Sequence, residues 1–259
     1  MHLQYLGHLI LGGVQRVGKL TLFGLSAVRH AGAGGALRAR LVRAVFEIGI
    51  RCVPVICVVA TFTGLVLGLQ GHHVLSRFGA TEMLGTLVSL SLCRELAPVL
   101  AALMIAAQAG TALSAEIGIQ RATEQIDAIE LMDIRAEGFL VGARLLAALF
   151  IFPVLASAFV MVGVWGGWIS GCVIAPQDSD AFWSTVHAAV HPHDVIECLL
   201  KALVFGTVTI TVTAFEGFHS HEFKNVAGAR AVSLATVRGV VFSCIAILAA
   251  DYVITAWMV

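Results

Sequence analysis

The sequence predicts an all-α integral membrane protein with five transmembrane helices, an N-terminal interfacial helix and one further helix on the inner face. Three observations predict it. Of the 259 residues, 59% are hydrophobic and only 12% are charged, against roughly 25% charged in a soluble domain. The apolar residues gather in five long runs, and the basic residues gather on one side of those runs. The 16 Lys and Arg balance the 16 Asp and Glu, so net charge gives no attraction for nucleic acid. The six cysteines lie in or beside apolar runs with no C-x-x-C spacing. They read as small buried hydrophobes rather than disulfides or metal ligands.

Residues 1–47 form a basic segment. Up to residue 46 it has no Asp or Glu and six basic residues, Arg16, Lys19, Arg29, Arg38, Arg40 and Arg43. That pattern suits a helix lying on an anionic membrane face. Arg16 and Lys19 interrupt the first apolar run, which argues against a cleavable signal. Residues 48–259 form the membrane domain. A helix needs about 20 apolar residues to cross the hydrocarbon, and the runs at 52–69, 84–115, 139–174, 195–215 and 239–259 supply the spans. Pro153 breaks the third.

Charge orients the spans. With the N-terminus inside, the inner segments hold the six early basic residues plus Arg121, Arg135, Lys224 and Arg230, while the outer loops at about 70–82 and 175–194 hold only Arg77. The positive-inside rule then places the N-terminus in the cytoplasm, and five spans place Val259 outside.

Several motifs invite functional readings. Gly13–Thr21, "GVQRVGKLT", nearly spells a phosphate loop, but Leu20 stands where Ser or Thr binds magnesium and no strand precedes it. No other segment looks like an ATPase. His72, His73, His191, His193, His219 and His221 beside Glu222 make no H-E-x-x-H and read as solvated loop histidines. Gly64 and Gly68, and Gly163, Gly167 and Gly171, have the spacing of close helix packing, within one subunit or between two. Glu116–Ile134 is amphipathic. Ile119, Ala122, Ile126, Ile129 and Met132 mark one helical face, and Glu124, Asp127, Glu130 and Asp133 the other. It is a solvated connector or a docking helix for a cytoplasmic partner.

The ionisable residues within the spans carry the sharpest signal, because intramembrane charge pairs, faces a cavity or marks a path. Arg94 and Glu95 are adjacent, so they point about 100° apart and need not pair with each other. Glu197 and Lys201 stand i, i+4 in the favourable order and read as a structural pair. Asp251 needs a partner, for which Arg94 is one candidate.

The stretches Gly64–Gly71 ("GLVLGLQG"), Arg94–Gly118 ("RELAPVLAALMIAAQAGTALSAEIG"), Ala122–Met132 ("ATEQIDAIELM"), Val162–Gly171 ("VGVWGGWISG") and Asp251–Met258 ("DYVITAWM") resemble the permeases of MCE-associated ABC transporters, the MlaE family. The likeness covers about residues 45–259. It implies a homodimer of five-span subunits in the bacterial inner membrane, driven by separate cytoplasmic ABC ATPase subunits that use ATP and Mg²⁺. It also implies a periplasmic MCE-domain partner, a small STAS-domain protein on the ATPase, and a phospholipid cavity between the two permease subunits. The chain itself is then a transporter subunit, with no catalytic residue, metal or cofactor of its own. The resemblance makes residues 116–134 a coupling helix, with Glu116, Glu124, Ile126, Asp127, Ile129 and Glu130 toward the ATPase. It sets Arg94, Glu95 and Asp251 at the lipid, with Leu67, Val74 and Leu75 as apolar walls. Ala97 replaces a glycine of the family pattern, and Gln108 replaces an arginine. The rival expectations are a proton-coupled secondary transporter using Glu95 and Asp251, and an intramembrane hydrolase, for which no Ser-His pair or metal motif speaks.

Overall fold

The computed structural model describes the backbone of residues 2–32, 36–175, 177–222 and 228–258, with side chains from Gln15 onward in those stretches, Glu222 excepted. Lys224, the Glu222 side chain and Val259, all used in the sequence reading, lie outside the described residues. Among the described residues eight helical segments follow in order, with a short 3-10 turn at Ser220–Glu222 after the seventh: α1 (His2–Arg29), α2 (Leu37–Arg77), α3 (Thr81–Ala122), α4 (Gln125–Leu131), α5 (Gly138–Ile174), α6 (Ser179–Ala189), α7 (Pro192–Phe218) and α8 (Ala229–Met258). Among the described residues there is no strand. Helices α2, α3, α5, α7 and α8 are each long and apolar enough to cross a membrane, as the five apolar runs predict. They extend past those runs because helix continues through the charged flanks, where water or head groups solvate the side chains.

Helices α1 and α4 share one end of the bundle, here called the base, and α6 lies at the far end. The α3 and α7 spans are the most enclosed, and α2 and α8 the most exposed. The tightest pairing is between α2 and α5. A methyl group added at Gly64 would collide with the carbonyl oxygen of Gly163, and one at Gly68 would meet the Gly167 carbonyl at 2.5 Å. The two small-residue motifs therefore meet each other within one subunit, where backbone contact replaces side-chain interdigitation. Gly171 instead faces Leu84.

One expectation changes here. Pro153 does not break its span, since one helix runs through it from Ala143 to Trp168. A proline is tolerated inside a membrane helix where neighbouring groups re-satisfy the backbone it frees; here Phe152 beside it is buried and the Ser157 hydroxyl donates to the Pro153 carbonyl at 2.8 Å. The near-phosphate-loop is helical throughout within α1, so it offers no loop of backbone N–H groups to a nucleotide.

Helix α1 is docked on the base rather than loose beside it. Phe23 packs edge-on against Phe215 at 5.6 Å between ring centroids and against Phe218, and Arg16 pairs with the buried carboxylate of Glu216. His219 stacks on Phe215 at 4.1 Å, so it is part of this aromatic cluster and not a solvated loop histidine. At the far end Trp165, Trp168 and Trp183 meet edge to face at 5.6–5.7 Å, in the manner of an interfacial aromatic belt.

Among the described residues three π-helical turns interrupt the spans, Phe46–Ile50 in α2 and Leu92–Leu96 and Ala106–Gly110 in α3, and two more form the ends of α5. Such single-turn insertions re-aim side chains and recur at functional sites.

The α2–α5 contact gives a prediction with a built-in control. Gly64→Ala overpacks a backbone contact and is expected to cost about 1–3 kcal/mol, seen as a lower Tm of the detergent-purified chain. Gly18→Ala, with nothing within 4 Å of the added methyl, is expected to leave Tm unchanged or raise it slightly.

Candidate functional site

The first π turn of α3 carries Arg94 and Glu95. Its cause lies four residues on. Pro98 has no N–H to give the Arg94 carbonyl, and an ordinary turn would press its ring against that oxygen. The Lys201 ammonium of α7 takes the missing donor's place, 2.8 Å from the Arg94 oxygen.

Lys201 has 0% side-chain exposure, so its charge is enclosed and must be compensated within the protein. An ammonium has three hydrogens. One goes to the Arg94 carbonyl, one to Glu95 Oε1 at 2.9 Å and one to Thr255 Oγ1 at 2.7 Å. The Thr255 hydroxyl passes its own hydrogen to Glu95 Oε1 at 3.1 Å. Asp251 Oδ1 at 3.2 Å and Glu197 Oε1 at 3.4 Å then face the ammonium through charge alone, and Asp251 Oδ1 receives no hydrogen bond. Helices α3, α7 and α8 are thus tied at one nitrogen. At 1.5 Å per residue from Pro192, this point lies about 14 Å inside the far end of α7.

Arg94 turns the other way. Its Nε and Nη2 lie 2.8 and 2.7 Å from Asp194 Oδ1 in the first turn of α7. Asp194 Oδ2 accepts from the His191 N–H at 2.9 Å, so the carboxylate both caps α7 and holds the guanidinium. Arg94 remains 50% exposed and Glu95 42% exposed. Each is held from behind and open in front.

The predicted site residues are therefore placed as follows. Arg94, Glu95 and Asp251 come together, but Asp251 meets Lys201 and not Arg94, whose partner is Asp194. Glu197 and Lys201 do approach each other, yet Lys201 belongs to the shared cluster rather than to a self-contained pair. Sequence reasoning missed Asp194 and Thr255. Leu67 and Leu75 are half-buried against the core and Val74 is exposed; all three ride on α2, whose main partner is α5. His193, Asp194 and Glu197 stand within 4.8 Å of one another, but both Asp194 oxygens are engaged, so they are not an open ligand set.

At the base, the predicted 116–134 helix is two pieces. Helix α3 ends at Ala122, Glu124 takes a left-handed φ of 59°, and α4 restarts at Gln125. The break rotates the apolar stripe. Ile126 is buried and Ile129 packs on the core, while Ile119 and Met132 are exposed. Asp127 accepts from Arg121 at 2.7 Å, Glu124 and Glu130 are exposed, and Leu131 and Met132 project beside them. Glu116 faces away from α4, toward Arg144 Nη2 at 2.5 Å. Gln108, in the second π turn of α3, donates to the Arg51 carbonyl at 3.0 Å.

The Lys201 cluster predicts unequal stability effects. Lys201→Met leaves an unpaired set of acids and is expected to cost about 3–5 kcal/mol, whereas Thr255→Val removes a neutral relay and costs about 1 kcal/mol. Thermal unfolding of the purified chain checks the order.

Comparison with known proteins agrees with this architecture. Residues 41–257 match the family described as "Permease MlaE". The "Intermembrane phospholipid transport system permease protein MlaE" of Haemophilus influenzae is 36% identical over 219 residues, covering 84% of this chain and 82% of the relative. A "Probable ABC transporter permease protein" of Rickettsia bellii is 35% identical over 241 residues, covering 93% and 91%. A protein of the same description from Synechocystis sp. is 32% identical over 211 residues, covering 82% and 78%. With a family match over residues 41–257, most of its length, the chain belongs to the MlaE permease family.

Proposed function

We propose that this chain is the membrane subunit of an ABC transporter that moves phospholipid between the inner membrane and a periplasmic MCE-domain carrier, so maintaining the lipid asymmetry of the outer membrane. It acts as a homodimer. Cytoplasmic ATPase subunits, with a STAS-domain protein bound to them, use ATP and Mg²⁺ at the base. The base is cytoplasmic and the far end periplasmic, an orientation supported by the basic residues gathered near the base. The phospholipid in the H. influenzae relative's name and the ABC transporter in the Rickettsia relative's support the substrate class and the energy source.

The observation that carries the reading is the Arg94–Glu95 step. Two charged side chains are anchored from behind by Asp194 and Lys201 and left half-exposed well inside the span. A guanidinium offers a planar fork of donors to phosphate oxygens, and the neighbouring carboxylate accepts from an amine. Ala97, Ala101 and Ala102, next in α3, are buried inside the bundle; the part-buried Leu96, Val99 and Leu100 are the apolar groups beside the pair that acyl chains would meet. At the base, Ile126 and Ile129 fix α4 to its own subunit, so the ATPase meets the exposed face of Glu124, Asp127, Glu130, Leu131 and Met132.

The two regions give separable outcomes. Arg94→Ala or Glu95→Ala is expected to lower the phospholipid that co-purifies with the complex by severalfold while the ATPase stays attached. Glu124→Lys with Asp127→Lys is expected to do the reverse. Lipid per dimer and subunit retention, measured on the same preparations, check both. Normal lipid in the surviving Arg94 variant would make the pair structural. The rival proton-coupled mechanism has one observation in its favour, the meeting of Glu95 and Asp251 across Lys201. Lipid transfer that continues without ATP hydrolysis would favour it.

A further inference from the structure

The base end holds a second charged constellation that the Arg94 site does not use. Two cavities adjoin there, of about 240 and 210 Å³. The first is walled by Arg40, Arg43 and Gln120, the second by Arg51, Gln108 and Ala112, and both share Glu47, Glu116 and Arg144. Arg144 is only 14% exposed and stands between the cavities. Its Nη2 lies 2.5 Å from Glu116 and 3.8 Å from Glu47, and its Nη1 donates to the Leu140 carbonyl at 3.1 Å. Arg43 Nε donates to Glu47 at 2.8 Å.

Three features give these cavities a chemistry. Their walls carry four arginines against two glutamates, so they favour an anion, the opposite of the acid-rich cluster around Lys201. The arginine donors converge from α2 and α5, and planar donor forks at close quarters suit tetrahedral oxyanions. Every lining residue of the first cavity except Glu47, nearly three turns in, lies within about two turns of a helix end at the base, which is head-group depth. Phe139, Leu140 and Ala143 give it an apolar side.

We propose that the two cavities form a port for a phosphate group, supplied by the head group of a phospholipid in the leaflet at the base. The Arg144–Glu116 pair is the partition. Glu116 occupies Arg144 until a phosphate oxygen replaces it, which joins the two cavities. The lipid source rests on the function proposed above; the anion chemistry does not.

The test uses the full-length chain in detergent, with bound adducts counted by native mass spectrometry. The probes are phosphatidylglycerol, a phosphate-free galactosyl diacylglycerol and inorganic phosphate. Arg144→Gln is expected to weaken phosphatidylglycerol binding at one site roughly tenfold, the loss of one charge-assisted contact. Glu116→Gln removes the internal competitor and is expected to tighten the same site. Galactolipid should respond to neither. Inorganic phosphate that shows this dependence while phosphatidylglycerol does not would keep the anion site and remove the lipid. Both variants weakening binding together, or galactolipid following the same pattern, would overturn the port and leave a structural ion pair. Lipid that falls on Arg94→Ala but ignores both base-end variants would overturn the port alone, whereas a wild-type chain that takes no phospholipid at all overturns both readings.

Discussion

The architecture turns on one buried ammonium. Desolvating a charge costs several kcal/mol, and only good geometry with further hydrogen bonds offsets that. Lys201 meets the condition by giving each of its three hydrogens a partner and by drawing acids from three spans around it. The same nitrogen resolves a backbone defect, the carbonyl left without a donor by Pro98. The satisfied carbonyl of the π turn, the pose of Glu95 and the meeting of α3, α7 and α8 therefore share one interaction, while Asp194 separately holds the Arg94 side chain. Without it the turn would have an unsatisfied oxygen inside a membrane, where no water replaces the donor.

Charge is divided between the interior of the spans and the base. The inner cluster sets two cations, Arg94 and Lys201, against Asp194, Glu95, Glu197 and Asp251. The base sets several arginines around Glu47 and Glu116. A zwitterionic head group has complementary parts for the first and an anionic one for the second. Between them the span pairs are held by small residues, and α2 and α5 lie close enough that their backbones touch.

Much of this is legible in the sequence, and the rest is missing for definable reasons. Hydropathy finds five spans because each must be apolar over about 20 residues. The small-residue spacings are equally plain, but spacing alone does not say that Gly64 meets Gly163 in its own subunit. Glu197 and Lys201 read as a local pair because i, i+4 spacing is visible and the third dimension is not; Glu95 and Asp251 reach the same nitrogen from residues far apart in the chain. Arg94's partner, Asp194, is disguised as an ordinary helix cap. One signal was available: a proline four residues after Arg94 marks a carbonyl in need of a donor. The break at Glu124 was hidden because a left-handed residue there is neither Gly nor Asn.

The most direct measurement of the central claim is the location of the phosphate in a lipid-loaded complex, obtained by cryo-electron microscopy of the full-length chain with its ATPase in phospholipid nanodiscs. The account predicts head-group density within hydrogen-bond reach of the open side of the Arg94 guanidinium, with Lys201 still enclosed behind Glu95. Acyl density against Arg94 with the phosphate elsewhere, or lipid confined to the outer surface of the spans, would contradict it.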